Sequence, residues 1–306
     1  MMYDLSKIKA ALPEGFGCLT AGGRICIFQD RWENEIRRLD ENGLPTGSER
    51  GHLRGRGHPA VLPVGPEKLV VRHYYHGGIF RRLTRDLFLN LRRPLNEISI
   101  LAAARKAGIS VPEPAGLLIE TVPPVFCRAD LVTVYVPGSQ DLLAYYREFP
   151  FSPGFGDRRE KRRIIAAAAR EVSLLHRAGI VHGDLQVKNI MIRKTPADLR
   201  IFILDFDRAR RTAIPGARVR KNLLRLYRSF RKMSLSLPRV SRYDPVRFLR
   251  AYAPEEKEFR RSTVGAVRRR RWRERLHLLK WKLSLRLGGG LYARPMSGIK
   301  KRMEHK

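Results

Sequence analysis

Two short passages supply the side chains needed to move a phosphoryl group. HGDLQVKN, residues 182–189, carries Asp184 and Asn189, and ILDFD, residues 203–207, adds Asp205 and Asp207. Phosphoryl transfer asks for little covalent help from a protein; it asks for an oriented hydroxyl and for neutralised phosphate charge. Asp184 is the candidate catalytic base, able to accept the hydroxyl proton, while Asn189 and Asp205 offer the hard oxygen ligands that magnesium takes. Each aspartate alone could be a turn former or a strand-end hydrogen-bonding residue. Their order, and their place after the apolar run ending LHRAGIVHGD, favour chemistry. His182 is expected to pack beneath the site and not to catalyse.

The spacing of Asp184 and Asn189 matches the H-R-D-x-x-x-x-N loop of protein kinases, and Asp205 stands where D-F-G has its aspartate. Such a site needs a cation near the nucleotide phosphates and an acidic partner on a helix. Glu97 is the helix candidate, and Arg72 closes LVVR where the V-A-I-K pattern has lysine, with Lys68 as the alternative cation. Gly55 and Gly57, in GRG, sit where a phosphate-covering loop belongs but lack the full G-x-G-x-x-G spacing. The other departures are Gly183 for the loop arginine, Asp207 for the D-F-G glycine, and no A-P-E motif. They disfavour a protein substrate and control by loop phosphorylation. Gln186 replaces the usual loop lysine, and Lys188 is the candidate contact to a substrate phosphate or acid.

The elements around these residues predict an α+β, protein-kinase-like, two-lobed fold: a β-rich N-lobe with one helix and a mainly helical C-lobe. GRICIFQ (23–29) reads as a short strand and DENGLP (40–45) as a turn. Two β-rich runs between Gly51 and Tyr75 flank the breakers Pro63–Pro66 and read as a hairpin. Leu95, Ile98, Leu101 and Ala102 share one face of a helix over 94–107, ended by Gly108. Strands follow at 116–120 and 131–136, then a helix that places Ile164, Ala168, Val172 and Leu175 on one face up to Gly179. The expected divisions are 1–128 for the N-lobe, with 1–45 unassigned within it, 129–258 for the C-lobe, and 259–306 for a basic amphipathic tail.

The 306 residues suffice for a sizeable core, and Cys18, Cys26 and Cys127 show no zinc or disulfide spacing. No run approaches the ~18 uninterrupted apolar residues of a spanning helix, and the start lacks the apolar stretch of a secretory signal, so an intracellular protein is expected. Lys and Arg number 62 against 29 Asp and Glu, a formal charge of +33. A polyanion is the expected neighbour: a nucleic acid, an anionic membrane face or a phosphorylated substrate. VRRRRWRERLHLLKWKLSLRL, 267–287, mixes cations with tryptophan and leucine as interfacial helices do, with a solvated C-lobe helix and a nucleic-acid patch as the alternatives.

VVRHYYHGG (70–78), the Glu97 helix leading into GISVPEP (108–114), and HGDLQVKNIMI with ILDFDRAR together resemble the lipopolysaccharide inner-core kinase family, which comprises Kdo kinases and related heptose kinases. The resemblance runs from about Gly51 to Lys232, and the arginine-then-histidine strand with Gly77 and Gly78 is nearer the Kdo kinases. It implies phosphorylation of Kdo (3-deoxy-D-manno-octulosonic acid) on lipid A, with ATP and Mg2+, by Asp184, at the cytoplasmic face of a Gram-negative inner membrane. The implied partners are Kdo-lipid A and an anionic membrane surface; nucleic acid is disfavoured and no obligate protein partner is evident. The alternatives are a heptose kinase, a catalytically silent kinase-like binding module, and an atypical kinase acting on protein.

Overall fold

A computed structural model describes residues 4–41, 51–52, 59–75, 86–148, 155–213, 216–237, 240–241 and 243–269. The chain opens with a short helix α1 (Leu5–Ala11), started by the Asp4 side chain accepting from the Ser6 N–H at 3.0 Å. Strands β1 (Phe16–Ala21) and β2 (Arg24–Gln29) then form a hairpin across Gly22 and Gly23. Both glycines have positive φ, the geometry in which a two-residue turn matches strand twist. Helix α2 (Glu33–Glu41) follows. Asp40 of the expected turn therefore lies in a helix, and residues 42–45 lie outside the described residues.

The first lobe is an antiparallel sheet, seven strands among the described residues, in the order β1-β2-β6-β7-β5-β4-β3. Its further members are β3 (Gly51–His52), β4 (Ala60–Val64), β5 (Glu67–His73), β6 (Pro114–Val122) and β7 (Phe126–Val134). The expected hairpin is β4–β5, with Pro63 opposite Lys68. Of residues 1–45, left unassigned by the sequence, the described 4–41 thus belong to this lobe through β1 and β2. The division expected at 128 cuts β7, which continues to Val134 because its later residues pair with both β5 and β6. Helix α3 (Arg92–Lys106) crosses one face. It is joined in the lobe by α1 and α2, so the single expected helix is one of three there among the described residues.

Alternation along β2 shows how the layers form. Ile25 and Ile27 enter the main core, while Cys26 and Phe28 face Trp32 and Ile36 of the α2 segment on the other side. A strand covered on both faces carries no polar alternation, which is why GRICIFQ reads as a strand without revealing what covers it. The three cysteines are buried and free, and burial pushes the Cys26 thiol up to about 12.

The second lobe is built around α5 (Phe155–Arg177), whose Ile164, Ala168, Val172 and Leu175 are all buried, as their spacing predicts. A fully buried Leu, Ile or Val contributes ~1.5–3 kcal/mol, so this stripe anchors the lobe. Around it lie α4 (Leu142–Glu148), α6 (Gly216–Ser236), α7 (Asp244–Tyr252) and α8 (Lys257–Arg269). The start expected for a separate tail at 259 falls inside α8, where Thr263 is buried, so this part belongs to the lobe; residues 270–306 lie outside the described residues. Two small sheets hold the loops: β8 (Ser139–Asp141) with β10 (Ile190–Lys194) and β11 (Leu199–Ile203), and β9 (Ile180–Val181) with β12 (Arg210–Arg211). No described helix is long and apolar enough to cross a membrane.

Candidate active site

The loop carrying Asp184 runs from β9 to β10 and is held from below by His182, which is fully buried. Its Nε2 lies 2.7 Å from the Leu204 carbonyl, and its Nδ1 accepts the Asp184 N–H at 3.3 Å. Donating from one nitrogen and accepting at the other requires the neutral ring, and burial lowers its pKa accordingly. His182 is a brace, as the sequence suggests. Gly183 has φ +73°, and a Cβ there would stand 2.2 Å from the Arg208 carbonyl oxygen. The protein-kinase arginine is absent because the loop backbone lies directly against the segment after β11, an approach secured by β9–β12 pairing.

Asn189 closes a 3-10 turn, Val187–Asn189, and its Nδ2 donates to the Asp184 carbonyl at 3.0 Å. Across the β10–β11 hairpin the Leu204 N–H donates to the Asn189 carbonyl at 2.9 Å, which sets Asp205 beside Asn189. Asp205 has φ +65°, a left-handed conformation that aspartate tolerates better than most residues, and its carboxylate stays partly exposed. A carboxamide and a carboxylate brought together by this hairpin offer the hard oxygen ligands that would suit a magnesium ion.

Arg72 and Glu97 meet as the sequence predicts, Nη2 to Oε1 at 2.6 Å, and Arg72 Nη1 reaches to 3.6 Å from Asp205. Lys68 is exposed near the β4–β5 turn, so Arg72 is the cation of the pair. Glu97 is buried, and its second oxygen accepts the Tyr74 hydroxyl at 2.6 Å. Burial raises the Glu97 pKa against the opposing pull of Arg72; at Arg72 burial pulls the pKa down, but Glu97 together with Tyr74 and Asp205 outweighs it and keeps the guanidinium charged. The Arg72 guanidinium also stacks 4.8 Å above the Tyr74 ring.

Several residues that sequence reasoning passed over complete the site. Arg93 on α3 grips Asp207 from both Nε and Nη2, and Asn96 donates to the Ala209 carbonyl at 3.0 Å. Arg93 lies four positions before Glu97, hence on the same helix face, a signal that could have flagged it. On α6, Arg225 places Nε 2.8 Å from Asp184 Oδ1 and donates from Nη1 to the Gly183 carbonyl at 2.8 Å. Four residues on, Ser229 accepts the Val187 N–H at 3.0 Å. Gln186 donates to the same Asp184 oxygen at 2.7 Å. Asp184 Oδ1 is thus doubly held, and Oδ2 has no protein hydrogen-bond partner among the described residues. Lys188 is half-buried on the 3-10 turn, with no ion-pair partner among the described residues. Gly55 and Gly57 lie outside the described residues.

A strand-borne cation paired with a helix glutamate, an aspartate loop braced by a buried histidine and a second aspartate after a hairpin are the arrangement of a phosphotransferase of protein-kinase-like fold. The chain belongs to the lipopolysaccharide kinase (Kdo/WaaP) family, whose model matches residues 48–252. Among its relatives, the 3-deoxy-D-manno-octulosonic acid kinase of Pasteurella multocida is 30% identical over 68% of this chain and 81% of its own length. The enzymes of the same name from Vibrio parahaemolyticus and Vibrio cholerae are each 29% identical over 61% of this chain, spanning 74% and 75% of their own lengths. The fold is also similar to that of WaaP, solved in complex with acyl carrier protein, with a TM-score of 0.50 and 21% identity over 72% of this chain and 88% of that one.

Proposed function

We propose that this protein is a 3-deoxy-D-manno-octulosonic acid kinase that moves the γ-phosphoryl group of ATP onto a hydroxyl of Kdo attached to lipid A. The observation that carries the reading is the joint placement of Asp184, Asn189 and Asp205 by one loop and one hairpin, in a chain whose relatives carry that name. Asp184 Oδ2 receives the acceptor hydroxyl's proton as the new O–P bond forms and the bond from the γ-phosphorus to the β,γ-bridging oxygen breaks, with ADP leaving. Asn189 and Asp205 would hold Mg2+, which would supply charge neutralisation for the nucleotide phosphates. Arg72, fixed by Glu97, adds a cation at the same phosphates. The α3 contacts from Arg93 and Asn96 hold the two lobes in register around the nucleotide.

The acceptor in this reading is embedded in a bilayer, and the charge of the protein suits the cytoplasmic face of the inner membrane. Between α7 and α8 a groove is lined by Arg250, Lys257, Arg261 and Arg268 together with Val246 and Val264. Cations interleaved with exposed valines are the composition of a surface that sits on an anionic leaflet, where each Lys or Arg near the surface is worth ~1 kcal/mol. Flotation with phosphatidylglycerol vesicles, but not with phosphatidylcholine vesicles, is the expected behaviour; equal flotation with both removes the membrane assignment.

The enzymatic reading is tested by transfer of labelled γ-phosphate from ATP-Mg to purified Kdo-lipid A, beside a heptosylated core acceptor and the Asp184→Ala variant. Transfer to Kdo-lipid A that vanishes in the variant is expected. Preference for the heptosylated acceptor would reassign the substrate to a core heptose, and no transfer despite bound nucleotide would overturn the kinase assignment.

A further inference from the structure

Arg225 belongs to α6, outside every passage that resembles a kinase motif, yet its side chain reaches the base. The guanidinium spends Nε on Asp184 Oδ1 and Nη1 on the Gly183 carbonyl, both at 2.8 Å. Its remaining nitrogen, Nη2, has no partner among the described residues, and the side chain is 42% exposed, so one charged donor of the guanidinium stays open to solvent beside the base. The Asp184 loop brings no cation at position 186, where Gln186 binds Asp184 instead. Among the residues that touch Asp184, the positive charge therefore comes from α6, which Ser229 also ties to the loop, and not from the loop itself.

A guanidinium donor pairs strongly with a carboxylate, and a guanidinium already fixed through Nε and Nη1 loses little freedom when Nη2 takes up an acid. We propose that Arg225 reads the acceptor: while its Nε holds Asp184, its outer edge pairs with the carboxylate of the acidic sugar, placing the sugar hydroxyl at the free Asp184 Oδ2. This inference rests on the Kdo reading, because it needs an acceptor with a carboxylate next to the reacting ring. It assigns sugar specificity to a single residue of α6, since a neutral heptose would leave that edge of the guanidinium unpaired.

Steady-state kinetics with Kdo-lipid A and with its Kdo methyl ester, for wild type, Arg225→Gln and Arg225→Lys, separate the possibilities. Wild type should lose about tenfold or more in kcat/KM on the ester, chiefly through the acceptor KM, as expected for a charge-assisted contact. Arg225→Gln should show that loss already with the acid and no further loss with the ester. Arg225→Lys, which keeps the charge but not the fork, should retain part of the discrimination. A wild type that transfers equally well to acid and ester overturns the inference, and so does an Arg225→Gln variant that still discriminates as wild type does. A wild type that transfers to neither overturns the Kdo reading itself.

Discussion

Arg93 and Asp207, 114 residues apart in sequence, form a two-point ion pair, with Nη2 to Oδ2 at 2.6 Å. Asp207 stands where protein kinases have the D-F-G glycine, and this departure ties α3 to the segment that follows β11. Arg93 also lies over the Phe88 ring, 5.1 Å from its centre. Replacing Arg93 by Ala leaves Asp207 half-buried without its partner. We expect a cost of about 2 kcal/mol in stability and a raised KM for ATP, read by thermal unfolding and by kinetics. An unchanged KM would dissociate this pair from nucleotide binding.

Glu97 is buried between a guanidinium and a phenol, and removing Arg72 leaves an unpaired interior carboxylate. Arg72→Ala should cost ~3–5 kcal/mol, whereas Arg72→Met with Glu97→Leu should recover most of the stability while remaining inactive. Denaturant unfolding of the two single variants and the pair measures the coupling. Purely additive losses would show that the contact contributes nothing.

Asp184→Asn keeps the shape of the base and its contact with Arg225 but cannot take a proton. A fall of about 10²–10⁴ in kcat with a nearly unchanged KM for ATP is expected, the size of a general-base contribution. A decrease below tenfold would move proton acceptance to another group.

Gly183→Ala probes the close approach of the base loop to Arg208. With φ at +73° and a carbonyl oxygen 2.2 Å from the new Cβ, the loop must shift, and Asp184 with it. Loss of activity larger than the loss of stability is expected, from parallel assays of transfer and melting temperature. Wild-type activity would show the loop to be pliant.

His176 is buried against the Tyr252 hydroxyl at 2.8 Å, and burial, reinforced by His182, lowers its pKa from 6.5 to about 4. The unfolded chain therefore binds a proton that the folded one refuses between those values. Stability from this group is fully present above about pH 6.5 and is lost as the pH falls toward 4, up to ~3 kcal/mol. His176→Gln should flatten the fall in unfolding free energy across that window. An unchanged slope would assign the acid sensitivity to other groups.

The sequence by itself determined the chemistry and the local elements that carry it. Asp184, Asn189 and Asp205 lie within one loop and one hairpin, so their spacing along the chain is already their spacing in space. The stripe of α5 and the Glu97 face of α3 follow from a helical period that needs no partner to be read. The Arg72–Glu97 pair could be read from the sequence, but which cation meets Asp184 and Asp207, and that Lys68 does not take the place of Arg72, was decided by tertiary structure. With 62 lysines and arginines in the chain, no local pattern separates Arg225 from its neighbours, and Arg93 is marked only by sharing a helix face with Glu97. Sheet pairing brings Arg72, and not Lys68, to Glu97, and the packing of α6 under the base loop brings Arg225 to Asp184. The placement of β1 and β2 beside β6 was likewise hidden, because the pairing joins residues nearly a hundred positions apart and strand sequence records burial but not the identity of the neighbouring strand.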